Sequence, residues 1–236
     1  MKSTLLLPVF AAAASAHYYF PKTSLNGVVS SDWQYIRQTD NSVAPDQSSG
    51  PVKDLQSNQM SCYQKTVTGA PQVLTVPAGS KISVQSSADM GHIGPLMWFM
   101  ARVPDGQDVK TWDPAGKQVW FKIAQTGHTG SYNPVFTAGG TVQTTTIPAA
   151  VPNGNYLLRF EHLALHVANA PQPYIACAQI QVTGGGSGRP SPLAAFPGAY
   201  KPGDDSVFGN IYNSGPNWTY PAPAVWTGTQ AVVLTA

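Results

Sequence analysis

Apolar stretches in this chain are short, and turn-forming residues close nearly all of them. Residues 73–76 stop at Pro77-Ala78-Gly79, residues 96–103 break at Asp105-Gly106, and Pro152-Asn153-Gly154 precedes residues 156–166. Glycine and proline punctuate in this way because one supplies backbone freedom and the other removes a donor. Within residues 81–86, Ile82 and Val84 alternate with Ser83 and Gln85, the two-residue period of a half-buried strand. Residues 119–123, 141–147 and 176–183 add further strand signals, and 18–20 adds a short aromatic one stopped by Pro21. No long helical pattern follows residue 16. Seven or eight such strands predict an all-β fold, an immunoglobulin/fibronectin III-like antiparallel β-sandwich with long loops.

The first sixteen residues stand apart. A charged start, an apolar run from Leu5 to Ala14 and the ending Ala14-Ser15-Ala16 read as a signal peptide cut after Ala16. The run is shorter than the roughly 20 residues a membrane span needs. A secreted, extracellular protein follows, with 1–16 removed and 17–236 as one domain. Charged residues are 10%, against about a quarter in ordinary globular chains. A net charge of +2 supplies no basic stripe for nucleic acid and no attraction to an anionic membrane. It is compatible with a neutral partner such as a polysaccharide. Residues 183–188, Thr-Gly-Gly-Gly-Ser-Gly, read as a linker or as a loop within the domain. Residues 190–226 read as an extended segment laid along the sandwich. The ten residues after Trp226 are too few for a carbohydrate-binding module. A monomer is expected. Cys62 and Cys177 are the two cysteines, and an oxidising compartment pairs them. Their loop is worth on the order of 4 to 5 kcal/mol in a chain-entropy account. Asn217-Trp218-Thr219 is a glycosylation sequon.

Cleavage would make His17 the N-terminus. Its amine, with a pKa of about 8, can then lose a proton to a competing metal, so one residue offers two nitrogens. Four other histidines could join it: His92, His128, His162 and His166. His92 lies in Gly91-His92-Ile93-Gly94-Pro95 between two strands, a turn where a ligand is exposed. His162 and His166 are four apart in a strand and so share a face. Gln172 and Tyr174 are again two apart, and a short loop between neighbouring strands would gather them with His166. His128 and His162 read as structural or surface residues.

At these positions the chain resembles the fungal lytic polysaccharide monooxygenases of auxiliary activity family 9. The matching pieces are the leader ending at His17, the Gly91–Pro95 block and Arg159-Phe160-Glu161-His162-Leu163-Ala164-Leu165-His166. Gln172-Pro173-Tyr174-Ile175-Ala176-Cys177 and the closing Pro197-Gly198-Ala199-Tyr200, Asn210-Ile211-Tyr212 and Tyr220-Pro221-Ala222-Pro223 complete them. The resemblance implies one copper ion held by His17, through amine and imidazole, and by His92, with Tyr174 axial. It implies that His166 and Gln172 act on an oxygen species at the metal, and that Cys62 and Cys177 form a family disulfide. Residues 167–171 are shorter than the family's usual stretch, and Pro173 stands where an aromatic is common.

The implied activity is oxidative cleavage of β-1,4-glucan, chiefly cellulose, by C–H hydroxylation at C1 and/or C4. It needs O2 or H2O2 and an external reductant. Tyrosine rings would stack on the sugar faces, with Tyr220 the first candidate and Tyr212 the second; Tyr18, Tyr19 and Trp33 have less to support them. A hydrolase would need two flanking carboxylates, and no pair stands out. Glu161, next to His162 in a strand, faces the other way. The alternative of another class is a non-catalytic copper- or carbohydrate-binding protein. It has no use for the trio His166, Gln172 and Tyr174.

Overall fold

The computed structural model describes residues 17–126, 128–129, 135–136, 139–213 and 218–228. The leader and Asn217 lie outside the described residues. The strands are β1 Lys22–Leu25, β2 Val28–Val29, β3 Leu74–Pro77, β4 Lys81–Gln85, β5 Leu96–Arg102, β6 Trp120–Gln125, β7 His128–Thr129, β8 Val135–Phe136, β9 Val142–Thr146, β10 Gly154–Ala164 and β11 Gln172–Thr183. One sheet has the order β2-β1-β4-β9 and the other β3-β11-β10-β5-β6, while β7 and β8 pair apart. Both large sheets are antiparallel except where β3 runs parallel to β11. Among the described residues helix is confined to single turns, including α1 Gln59–Cys62 and α2 Asp205–Phe208.

Alternation along β10 sorts its side chains into two cores. Tyr156, Leu158, Phe160 and Ala164 join Ile82, Val84, Trp98 and Ala176 between the sheets. Leu157 and Leu163 face outward, under the long loops, with Phe99, Trp120, Cys177, Phe196 and Tyr200. The five-stranded sheet is therefore buried on both faces, which is why β5 reads as a continuous apolar run rather than an alternating one. Segment 190–226 supplies much of the outer cover. Ala194 bridges Trp120 and Val225 bridges Lys122, so it lies along β6 as expected.

Buried charge ties that outer layer down. The Arg159 guanidinium donates to Glu161 at 2.7 Å and to the Met60 and Ser61 carbonyls at 3.0 Å, and Tyr200 donates to the same Glu161 oxygen. It thereby holds the turn carrying Cys62, which is bonded to Cys177 of β11.

Two expectations change. Residues 18–20 form no strand: β1 starts after Pro21, and the preceding chain is held instead by main-chain bonding between Ser87 and Tyr19. The glycine-rich stretch after β11 is packed, not free as a linker would be. A Cβ at Gly185 would sit 2.0 Å from the Val151 carbonyl oxygen, and one at Gly188 would strike the Trp226 ring.

Candidate metal centre

Register places the site. In the β5–β10 pair Leu96 lies opposite His162, and in the β10–β11 pair Tyr174 does. His162 thus sits between neighbours on both sides near the end of the sheet. The loop before β5 keeps following β10 past the strand ends. Leu163 donates to the Pro95 carbonyl and Leu165 to that of Ile93, at 3.0 and 2.7 Å. Continued one residue further, this pairing sets His92 across from His166. Gly94 makes the approach possible, because a Cβ there would lie 1.9 Å from the Leu163 carbonyl oxygen.

The rings gather accordingly. His92 and His166 stack at 4.1 Å between centroids, 12° from parallel. His17 faces His92 edge-on at 6.2 Å and Tyr174 at 6.3 Å, and Tyr174 lies 6.0 Å from His92. His17 is exposed, His92, His166 and Gln172 are half-buried and Tyr174 is buried. The Tyr174 hydroxyl reaches toward Gln172 Oε1 at 3.5 Å. Beneath this layer is a second one that sequence reasoning did not assign. Tyr18, wholly buried, stacks on Tyr174 at 4.3 Å and bonds His162 Nδ1 through its hydroxyl at 2.5 Å. Tyr18 is therefore no surface aromatic. The alternation His17-out, Tyr18-in was the available signal.

Electrostatics follow burial. Burial pushes the Tyr174 phenol up, so the hydroxyl keeps its proton. Burial first, and then the charge of His17, holds His166 below the ordinary histidine value. His162 is held down to about 3 by burial and by His92 and His166, so it is neutral. Glu161 and Arg159 lie completely buried on the opposite face of the sheet, as the spacing required. That carboxylate cannot reach a sugar at the histidines.

The family model of Auxiliary Activity family 9 (formerly GH61) matches residues 17–220. The chain belongs to that family. The AA9 family lytic polysaccharide monooxygenase C of Malbranchea cinnamomea is 45% identical over 232 residues, covering 96% of this chain and 98% of that protein. The AA9 enzyme A of Thermothelomyces thermophilus is 42% identical over 231 residues, 96% of this chain and 99% of its own. A crystal structure described as a cellulose-active polysaccharide monooxygenase from M. thermophila matches with a TM-score of 0.76 at 26% identity, over 90% of this chain and 100% of that one. AA9 proteins are copper oxidoreductases, and as one of them this chain is a monooxygenase.

The residues present fit such a metal. Among the described residues no three His, Cys, Asp or Glu side chains gather as a metal site. The donors on offer are two imidazoles 6.2 Å apart. With metal–nitrogen bonds of about 2 Å, ring centres roughly 6 Å apart can serve one ion between them. A cut before His17 would add the α-amine of that residue to its imidazole as a further nitrogen. A nitrogen set of this kind suits Cu(II), whereas zinc calls for four tetrahedral ligands.

The surface residues of AA9 type divide. Tyr212 is 47% exposed, and its hydroxyl points at the His166 carbonyl at 3.5 Å. Tyr220 is half-buried against Trp218, with its hydroxyl end enclosed and the Lys122 ammonium 5.9 Å above its ring.

Proposed function

We propose that this protein is a secreted, copper-dependent monooxygenase that cleaves β-1,4-glucan, with cellulose as its main substrate. The observation that carries the reading is the meeting of His17, His92 and Tyr174, with His166 and Gln172 beside them, at one exposed end of the sandwich. The cellulose-active structural relative supports the choice of substrate. The family match begins at His17, which supports cleavage after Ala16 and export.

His17, through amine and imidazole, and His92 hold the copper. Bound there, copper supplies one-electron redox chemistry and the activation of O2 or H2O2, with electrons from an external reductant. The rest is done by the chain. Tyr174 stays a neutral phenol and offers an oxygen rather than a second negative charge. The Gln172 carbonyl orients that hydroxyl. His166, stacked on His92 and held below the ordinary histidine value by burial and by His17, offers a fixed imidazole for hydrogen bonding at the substrate side.

Exposed apolar groups surround the site. Ile93, Val167 and Tyr212 are 39%, 46% and 47% exposed, and each adjoins or contacts a site histidine. They would shed water against the C–H face of a glucan chain. Tyr212 takes precedence over Tyr220 as the stacking ring because it is the more exposed of the two. Glycosylation at Asn217 would add a polar surface group.

The test is mature protein loaded with one equivalent of copper, given ascorbate, oxygen and cellulose, with products read by mass spectrometry. Oxidised oligosaccharides are expected. Unmodified sugars would mean hydrolysis, and tight copper binding without products would leave a binding protein.

A further inference from the structure

The pair Tyr18 and His162 takes no part in holding metal or substrate, yet its placement is unusual. Tyr18 follows the first ligand directly in the chain and turns inward, 0% exposed. Its ring is in contact range of four aromatic partners at once. It stacks on Tyr174 at 4.3 Å, lies 5.8 Å from His162 with planes 7° apart, 6.2 Å from His92 and 5.7 Å from Phe20. The hydroxyl is bonded to His162 Nδ1 across 144 residues of sequence. His162 is itself 0% exposed, and its Nε2 is buried with no hydrogen-bond partner. Among the described residues Tyr18 is thus the single hydrogen-bond partner of the His162 side chain, which is set in an apolar core.

A core position flanked by Leu96 and Tyr174 in the sheet register would take leucine or isoleucine at no such cost. A buried polar group left partly unsatisfied is expensive and calls for an explanation. What the pair achieves is orientation. The stacked ring of Tyr18 forms the floor under Tyr174, and its main chain continues into His17. A phenol can slide or tilt in a purely apolar pocket; one tied at its far end to a fixed strand residue cannot.

We propose that the Tyr18–His162 hydrogen bond is a positioning element of the metal centre. It fixes the Tyr18 ring, and through it the Tyr174 phenol and the chain at His17. The inference rests on the metal-site reading above. Partners of this kind, one layer behind the ligands, typically change metal affinity by about 10- to 100-fold when removed.

The test compares Tyr18→Phe, His162→Leu and His162→Gln with the parent, each with its N-terminus at His17. Copper affinity is measured by calorimetry, the Cu(II) site by electron paramagnetic resonance, and the fold by melting of the metal-free proteins. Tyr18→Phe and His162→Leu are expected to weaken copper binding by about tenfold and to shift the Cu(II) hyperfine coupling. His162→Gln, which restores an acceptor for the phenol, should stay within about twofold of the parent and keep its spectrum. If one of the two disrupting variants does not fold, the other carries the same contrast with His162→Gln. Disrupting variants with the parent's affinity and spectrum would overturn the proposal. So would losses in all three that simply track their melting temperatures. A parent that binds no copper would instead bring down the metal-site reading on which the proposal depends.

Discussion

The imidazoles of His92 and His166 stack at 4.1 Å with their planes 12° apart, although 74 positions separate them in the chain. The contact is a product of strand register. It exists because the Gly91–Pro95 loop goes on pairing with β10 beyond the end of β5. The proposed ligand His92 and its proposed neighbour at the metal, His166, are thus held by the same backbone ladder.

Replacing His166 with alanine removes that stacked neighbour but no ligand. Copper affinity should fall by about 10-fold, and product yield on cellulose should fall further. Calorimetry beside a product assay separates the two. Because His166 is half-buried, the melting temperature of the metal-free protein should barely move.

Gly94→Ala tests the close approach itself. The added methyl would lie 1.9 Å from the Leu163 carbonyl oxygen, so the loop has to move off β10. A destabilisation of about 1–3 kcal/mol is expected for such overpacking, along with weaker copper binding because His92 moves too. Urea unfolding and a copper titration on the same sample check both.

Tyr212→Ala should weaken adsorption to cellulose while leaving copper affinity as it was. Aromatic contacts of this type are worth about 0.5–1.5 kcal/mol, or roughly 2- to 10-fold in the binding constant. Tyr220→Ala should instead lower stability, since that ring packs into the outer core. Pull-down on cellulose and thermal melts tell the two residues apart.

Lys122 gives a pH signature far from the metal. Its ammonium is fully buried and donates to the Pro221 carbonyl and to Gln125, and burial lowers its pKa from 10.5 to about 8, against the raising influence of Glu161. Between pH 8 and 10.5 the unfolded chain therefore holds the proton that the folded chain has lost. Stability then rises with pH in that window, by at most about 1.4 kcal/mol per unit. Below pH 8 the whole cost of the buried charge is present. Lys122→Met should remove this slope, so the difference in unfolding free energy between parent and variant changes across that window and is flat below it.

Much of this was readable in the chain. Turn residues at regular intervals gave β3, β4, β5, β6, β9, β10 and β11 to within a few residues, but not the short β1, β2, β7 and β8. Odd and even positions along residues 154–164 sorted Glu161 away from His162, as the two buried cores require. The histidines were conspicuous because the chain has only five. Other features depend on contacts between distant segments and leave no local pattern. Tyr18 reads as a strand residue until its bond to His162 is seen. Tyr220 and Tyr212 look alike in sequence, but Tyr220 packs against Trp218 and near Lys122 while Tyr212 is exposed. The glycines after β11 resemble a linker, and only the nearness of Val151 and Trp226 explains why side chains are excluded there.

The central claim is that the third metal nitrogen is the amine of His17. It is tested by comparing copper affinity in protein that begins at His17 with protein that retains Ala16 before it, all else unchanged. The account predicts one tightly bound copper in the first. In the second, affinity should fall by more than about 100-fold, beyond the range seen when a residue behind the ligands is lost. Equal affinity in the two forms would contradict it.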